Sequence, residues 1–141
     1  MLVFVDTSAW IGVVARKDSF HPLARDFYKN LLDEKALLVT SNYVLDETVT
    51  RIRYDIGHKP ALEFLQAVDA AASSGLLRTY WVSEEVAQAA RKLFEKYNDQ
   101  LLSFTDCTSA AVCERLAVEN VFTFDRHFSM LGFQILPVLS V

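Results

Sequence analysis

Leu2-Val3-Phe4-Val5-Asp6-Thr7-Ser8 lies at the start of the chain and decides how the rest is read. Four consecutive apolar residues, β-branched and aromatic members among them, read as a strand buried on both faces. Asp6-Thr7-Ser8 breaks the run with cap-type residues, and Ala9 to Arg16 then reads as a helix. A buried strand that ends in an acid and turns directly into a helix is a natural first unit of an α/β sheet.

The same alternation continues along the chain. Ser19 and Pro22 fit the start of a helix running to about Glu34. Ala36 to Thr40 reads as a second strand, and Ser41 as the cap of a helix that Gly57 ends. On that helix Leu45, Val49, Ile52 and Ile56 form one predicted apolar stripe. Pro60 opens the next helix and Gly75 closes it. Arg78 to Val82 reads as strand, and Ser83-Glu84-Glu85 starts a helix that breaks at Asn98-Asp99. Ser103 caps a predicted helix to about Glu119. Val121 to Phe124 is a predicted strand, the short loop Arg126 to Gly132 has room for a helical turn, and Phe133 to Val138 reads as an edge strand because of Pro137. Alternating strands and helices predict a parallel sheet covered on both faces, within one domain spanning residues 1–141.

Composition narrows the class. The chain has 141 residues, 52% of them apolar, which supplies a sizeable core and argues against disorder. Net charge is −4, an awkward balance for a nucleic-acid protein unless several acids form one site neutralised by metal. Cys107 and Cys113, six positions apart, point about 240° apart on a helix and read as buried, reduced and structural. Two cysteines and three scattered histidines give no zinc spacing. The first residues carry no basic segment or cleavage site, and no apolar run approaches a membrane span, so a soluble cytoplasmic protein is expected.

Sites in open α/β sheets lie beyond the carboxyl ends of the strands. Asp6 follows the first predicted strand, Asp125 follows Val121 to Phe124, and Asp106 sits in the first turn after Ser103. Topology therefore predicts that three acids distant in sequence converge. Each taken alone also fits a structural role: Asp6 as an N-cap, Asp106 as an acid at a helix N-terminus, Asp125 as a turn residue. Glu47 lies roughly 200° around its helix from Leu45, on a face with Tyr43, Arg51 and Tyr54, where a solvated role is slightly the better reading. A cluster of hard oxygen ligands suits magnesium, and a cation pair about 4 Å apart serves phosphodiester hydrolysis. Thr7, Ser8, Thr105 and Thr123 are candidates to orient these carboxylates, with capping the better reading for Thr123. Arg126 is a candidate phosphate contact or a surface ion-pair partner.

Four short motifs in order resemble those of PIN domains: Val5-Asp6-Thr7-Ser8, Ser41-Asn42-Tyr43-Val44-Leu45-Asp46-Glu47, Ser103-Phe104-Thr105-Asp106-Cys107 and Thr123-Phe124-Asp125-Arg126-His127-Phe128. The resemblance spans nearly the whole chain. It implies a Rossmann-like three-layer α/β/α sandwich with a parallel sheet, and Mg2+- or Mn2+-dependent cleavage of RNA. It implies that Asp6, Glu47, Asp106 and Asp125 are the metal-binding acids. Compact members of this length resemble VapC-type toxins of toxin–antitoxin pairs, which implies an RNA substrate, a homodimer and an antitoxin partner. Many relatives carry a further acid or amide just beyond the fourth motif acid. Here that stretch is Arg126-His127-Phe128, which implies a weakly held second cation, with His127 read as a loop or packing residue. Trp10, Phe20, Phe27 and Tyr28 are expected mostly in the core, with any exposed subset available to an apolar helix of an antitoxin.

Other readings compete. A haloacid-dehalogenase-like phosphatase wants an Asp two residues after its nucleophile, where Ser8 stands. A phosphoacceptor receiver domain wants adjacent early acids and a late lysine, and no lysine follows Lys96. A housekeeping RNA-processing nuclease, and a non-catalytic PIN-fold binding module or scaffold, share the expected fold.

Overall fold

The structure, a computed structural model, describes residues 1–139. Its elements run β1 (Leu2–Val5), α1 (Thr7–Val14), α2 (His21–Asp33), β2 (Leu37–Ser41), α3 (Asn42–Asp55), α4 (His58–Ser73), β3 (Leu77–Tyr80), α5 (Glu84–Lys96), α6 (Phe104–Leu116), β4 (Asn120–Phe122), α7 (His127–Met130) and β5 (Gln134–Leu136). The strands form one sheet in the order β3-β2-β1-β4-β5. Every pairing is parallel, with Phe4 of β1 opposite both Val39 of β2 and Val121 of β4.

The chain steps from β1 outward to β3, then crosses back to β4. Right-handed crossovers therefore place α1 to α4 on one face and α5 to α7 on the other. Packing agrees, since α1 contacts both α2 and α3, while α5 packs on α6. This is the expected three-layer α/β/α sandwich. Direction reverses between β1 and β4, so the switch point of the sheet lies between their carboxyl ends.

The caps fall where the sequence signals them. Ser41, Ser83 and Ser103 each accept a backbone N–H three residues on. Gly75 closes α4 with φ of 80°, a backbone state that favours glycine. Helix α6 stops at Leu116 rather than near Glu119, because Ala117 turns into the left-handed region and its amide bonds back to Cys113 and Glu114. The strand β4 ends at Phe122, two residues before the expected end.

The buried face of α3 is Val44, Thr48 and Ile52, not the predicted stripe centred on Leu45, Val49, Ile52 and Ile56. Leu45 and Val49 are half-buried and Ile56 is 50% exposed. Thr48 can occupy the core because its hydroxyl donates to Val44 O at 2.7 Å, leaving only its methyl to pack.

Val3, Phe4 and Val5 of β1 and Val121 and Phe122 of β4 are fully enclosed. Helix α6 is buried from Cys107 to Cys113, so it shows no polar stripe along that length. Both cysteines are buried and unpaired, as expected. Trp10 is buried and donates to Thr40 Oγ1 at 3.3 Å, and Phe27 packs edge-on against Phe122. Phe20 is the exposed exception, stacked 4.4 Å from Phe124. Gly12 lets α1 approach α2, since a Cβ there would lie 2.9 Å from Ala24 Cβ. Among the described residues no helix is long and apolar enough to cross a membrane.

Candidate functional site

Asp6 stands where β1 becomes α1, at the N-cap position, yet its carboxylate makes no capping hydrogen bond. Instead Oδ2 accepts from Thr123 Oγ1 at 2.8 Å and from Ser8 Oγ at 3.0 Å. Its amide donates to Phe122 O at 3.0 Å, which carries the β1–β4 ladder into the site. Ser8 Oγ also accepts from Phe124 N at 2.9 Å, and Thr123 Oγ1 accepts from Asp125 N at 2.9 Å. Each hydroxyl spends its one proton on Asp6 and its acceptor capacity on the β4 loop. These two side chains thus clamp the switch point together. Thr123 does more than cap: it links two acids that are far apart in sequence.

Asp106 is held by a reciprocal cap. Its amide donates to Ser103 Oγ at 2.9 Å, and its Oδ2 accepts from Ser103 N at 3.0 Å. Asp125 Oδ1 accepts from His127 N at 2.9 Å, forming a turn that starts α7. In each of the three aspartates one carboxylate oxygen is fixed by a protein hydrogen bond. Such fixed orientation is what a metal or phosphate site needs.

The charges interact. Asp6 is 3% exposed, and its carboxyl is pushed up to about 6, first by burial and then by the Asp106 charge, against the lowering effect of Thr123, Ser8 and the Thr7 amide. Burial also raises Asp106, with Asp125 and Glu47 adding to the effect and Ser103 opposing it. Asp106 is therefore the hub that senses all three other acids. Burial and the Asp6 charge push the Cys113 thiol up, which keeps that cysteine inert. Glu47 is half-buried on α3, where its charge reaches Asp106.

The structure adds a residue read otherwise from sequence. Atoms of Asp106, Asp125 and His127 lie within 4.8 Å of one another, one candidate ligand atom from each. The reading of His127 as a loop residue missed its nearness to the acids. The available signal was its position two residues after Asp125, inside a tight turn. The Thr7 hydroxyl is buried with no hydrogen-bond partner, and Thr105 contributes its carbonyl, which accepts from Thr108 Oγ1 at 2.7 Å. Arg126 is exposed beside the cluster.

A cavity of about 800 Å³ is lined by Ile11, Arg51, Ile56, Phe64 and neighbours on α1, α3 and α4, and contains none of the four acids. Clustered titratable groups are better markers of chemistry than cavity size. Asp6 and Asp125 follow the carboxyl ends of β1 and β4, and Asp106 lies in the first turn of α6.

A family model for the PIN domain matches residues 3–134. A 23S rRNA-specific endonuclease, VapC20 of Mycobacterium tuberculosis, is 30% identical over 132 residues, covering 94% of this chain and 95% of the relative. The crystal structure of that VapC20, a Sarcin-Ricin loop cleaving toxin, superposes with a TM-score of 0.79 at 32% identity, covering 93% of this chain and 95% of the other. VapBC2 from Rickettsia felis, solved bound to a DNA fragment from its promoter, gives a TM-score of 0.69 at 11% identity, with 96% and 97% covered. FitAcB of Neisseria gonorrhoeae gives 0.64 at 14% identity, with 94% and 95% covered. The last two speak to fold alone. With strand order, motif order, acid placement and these likenesses in agreement, the chain belongs to the PIN domain family.

Proposed function

We propose that this chain is a divalent-metal-dependent endoribonuclease and the toxin of a toxin–antitoxin pair. The observation that carries the reading is that Thr123 links Asp6 to the Asp125 amide while Asp106 lies close to Asp125, with the charge of Glu47 reaching Asp106, at the sheet's switch point. Buried carboxylates that raise one another's protonation are a poor structural device and a good cation trap. Their donor set, hard carboxylate oxygens with one half already oriented, fits Mg2+ or Mn2+. When bound, such a cation supplies charge neutralisation at the phosphate and a more acidic water.

The chain's own groups then have distinct tasks. Asp6, Asp106 and Asp125 offer their free oxygens to the cation, and Glu47 completes the negative rim. Ser8 and Thr123 hold Asp6 in one rotamer, and Ser103 does the same for Asp106. Thr7 supports Asp6 through its backbone amide, and Thr105 precedes Asp106 in the first turn of α6. Arg126, exposed at the rim, contacts a substrate phosphate. The substrate is carried over from VapC20: structured RNA of the large ribosomal subunit, met in the cytoplasm. A homodimer and a protein antitoxin are expected from the resemblance of the four motifs to VapC-type toxins. The bare net charge of −4 favours a mode of binding in which metal and Arg126 create local positive potential rather than a broad basic face.

The test is cleavage of purified ribosomes by wild type, by Asp106→Asn and by wild type in excess chelator. One discrete cut in large-subunit RNA, abolished by the substitution and by chelation, is expected. Metal should also raise the melting temperature, since it binds the native state preferentially. Metal binding without any RNA cleavage would return the chain to a binding-module role. Cleavage that persists in chelator would remove the metal.

A further inference from the structure

Beside Asp106 lies an open cavity of about 680 Å³, formed where α5 ends and the chain leads into α6. Phe94, Tyr97, Asn98, Gln100, Leu101 and Ser103 line it. Ser103 ties it to the candidate site, because its hydroxyl accepts from Asp106 N at 2.9 Å. Phe104, the next residue, lies in the same first turn of α6 as Asp106. Its ring packs 6.1 Å from that of Phe94 and 6.4 Å from that of Tyr43. Tyr43 stands one turn before Glu47 on α3. Three rings thus join the cavity to the two helices that carry Asp106 and Glu47. Phe94 is nonetheless 48% exposed and Phe104 37%. Rings held in place by one another, yet left facing water, are pre-organised to be covered.

We propose that Phe94 and Phe104 stack on an unpaired base of the RNA beside the cleaved bond, and that the cavity sets which nucleotide is accepted there. The occupant follows from the lining. A nucleobase offers a flat π face and an edge of donors and acceptors. The two phenyl rings match the face, and the Asn98 and Gln100 amides with the Ser103 hydroxyl match the edge. An apolar protein helix would match the rings and leave the amides unserved. Lys96 adds positive charge at the same end of α5, its ammonium 5.2 Å from the centre of the Tyr97 ring. In a chain of net charge −4, that cation is placed to meet the phosphate of the stacked nucleotide.

The inference rests on the ribonuclease reading above, and the experiment separates the two. Cleavage of purified ribosomes is timed against substrate concentration for wild type, Phe94→Leu, Phe104→Leu and Phe104→Tyr. Each leucine variant keeps apolar bulk and loses the π face. KM should rise about fivefold or more in each, with a smaller change in kcat, and Phe104→Tyr should return KM to near the wild-type value. In parallel, a short single-stranded RNA carrying 2-aminopurine is titrated with each protein in chelator. Stacking quenches this base, so its fluorescence should fall on wild type and Phe104→Tyr and stay nearly unchanged on the leucine variants. An unchanged KM in both leucine variants, a loss confined to kcat, or equal quenching by all four proteins overturns the inference. So does a drop in light-scattering mass: leucine variants that lose a subunit assign these rings to a second copy of the chain. If wild type cuts no RNA but quenches through Phe104, the ribonuclease reading falls and base stacking stands. If wild type cuts RNA and both leucine variants cut it with the same KM, only the stacking falls.

Discussion

Replacing Asp6 by Asn should make the protein more stable while destroying its chemistry. The native carboxyl is held at about 6 against an ordinary 3.8, so the folded protein keeps a proton that the unfolded chain has released between those values. Stability from this group is complete below pH 3.8 and is lost as pH rises through about 6. At pH 7.5 an ionised Asp6 therefore costs roughly 3 kcal/mol without metal. The residue is 3% exposed, so solvent screens little of this. Asparagine is neutral throughout, and its carbonyl can accept the same bonds from Thr123 and Ser8. Allowing for imperfect amide placement, a gain of about 1–3 kcal/mol is expected at pH 7.5, or a Tm rise on the order of 5 °C. The assay is thermal unfolding in chelator from pH 4.5 to 8 for both proteins. Asp106 and the other acids titrate in both, so the difference between the curves reports on Asp6. That difference should be small at the acid end and grow toward neutral pH. The same variant should lose RNA cleavage and the stabilisation by Mn2+ or Mg2+. A flat difference, or a variant less stable at pH 7.5, would refute the electrostatic reasoning.

Thr123→Val removes the donor to Asp6 and the acceptor for the Asp125 amide, and should cost about 1–3 kcal/mol and lower metal affinity by about 10- to 100-fold, read by denaturant titration and calorimetry. Ser103→Ala breaks the capping box and should cost about 1 kcal/mol by the same titration. It should also reduce cleavage, because Asp106 loses an amide placed by that cap. Gly12→Ala forces a Cβ to within 2.9 Å of Ala24 Cβ and 3.3 Å of the Phe124 ring and should cost about 1–3 kcal/mol by denaturant titration.

Much of the molecule was legible in local chemistry. Caps such as Ser41, Ser83 and Ser103 act within four residues, so they read directly from the chain. The apolar run Leu2 to Val5 and its parallel partners follow from composition and alternation. The order of the acids relative to strand ends was equally local, and their convergence then followed from the sheet's carboxyl edge. Errors gathered where a local signal was weak. Ala117 takes a left-handed backbone that no glycine announces, and Thr48 enters the core through a hydroxyl bonded to its own helix.

What the tertiary structure alone decided was which side chains serve each acid. Thr123 reaches Asp6 across 117 positions, and Ser8 meets the Phe124 amide across 116. His127 joins Asp106 although the two sit on different helices. Periodicity and caps express forces between neighbours along the backbone, so a sequence displays them openly. The hydrogen bonds and charges of the rim act between segments joined only when β1 pairs with β4, and no local pattern encodes that meeting.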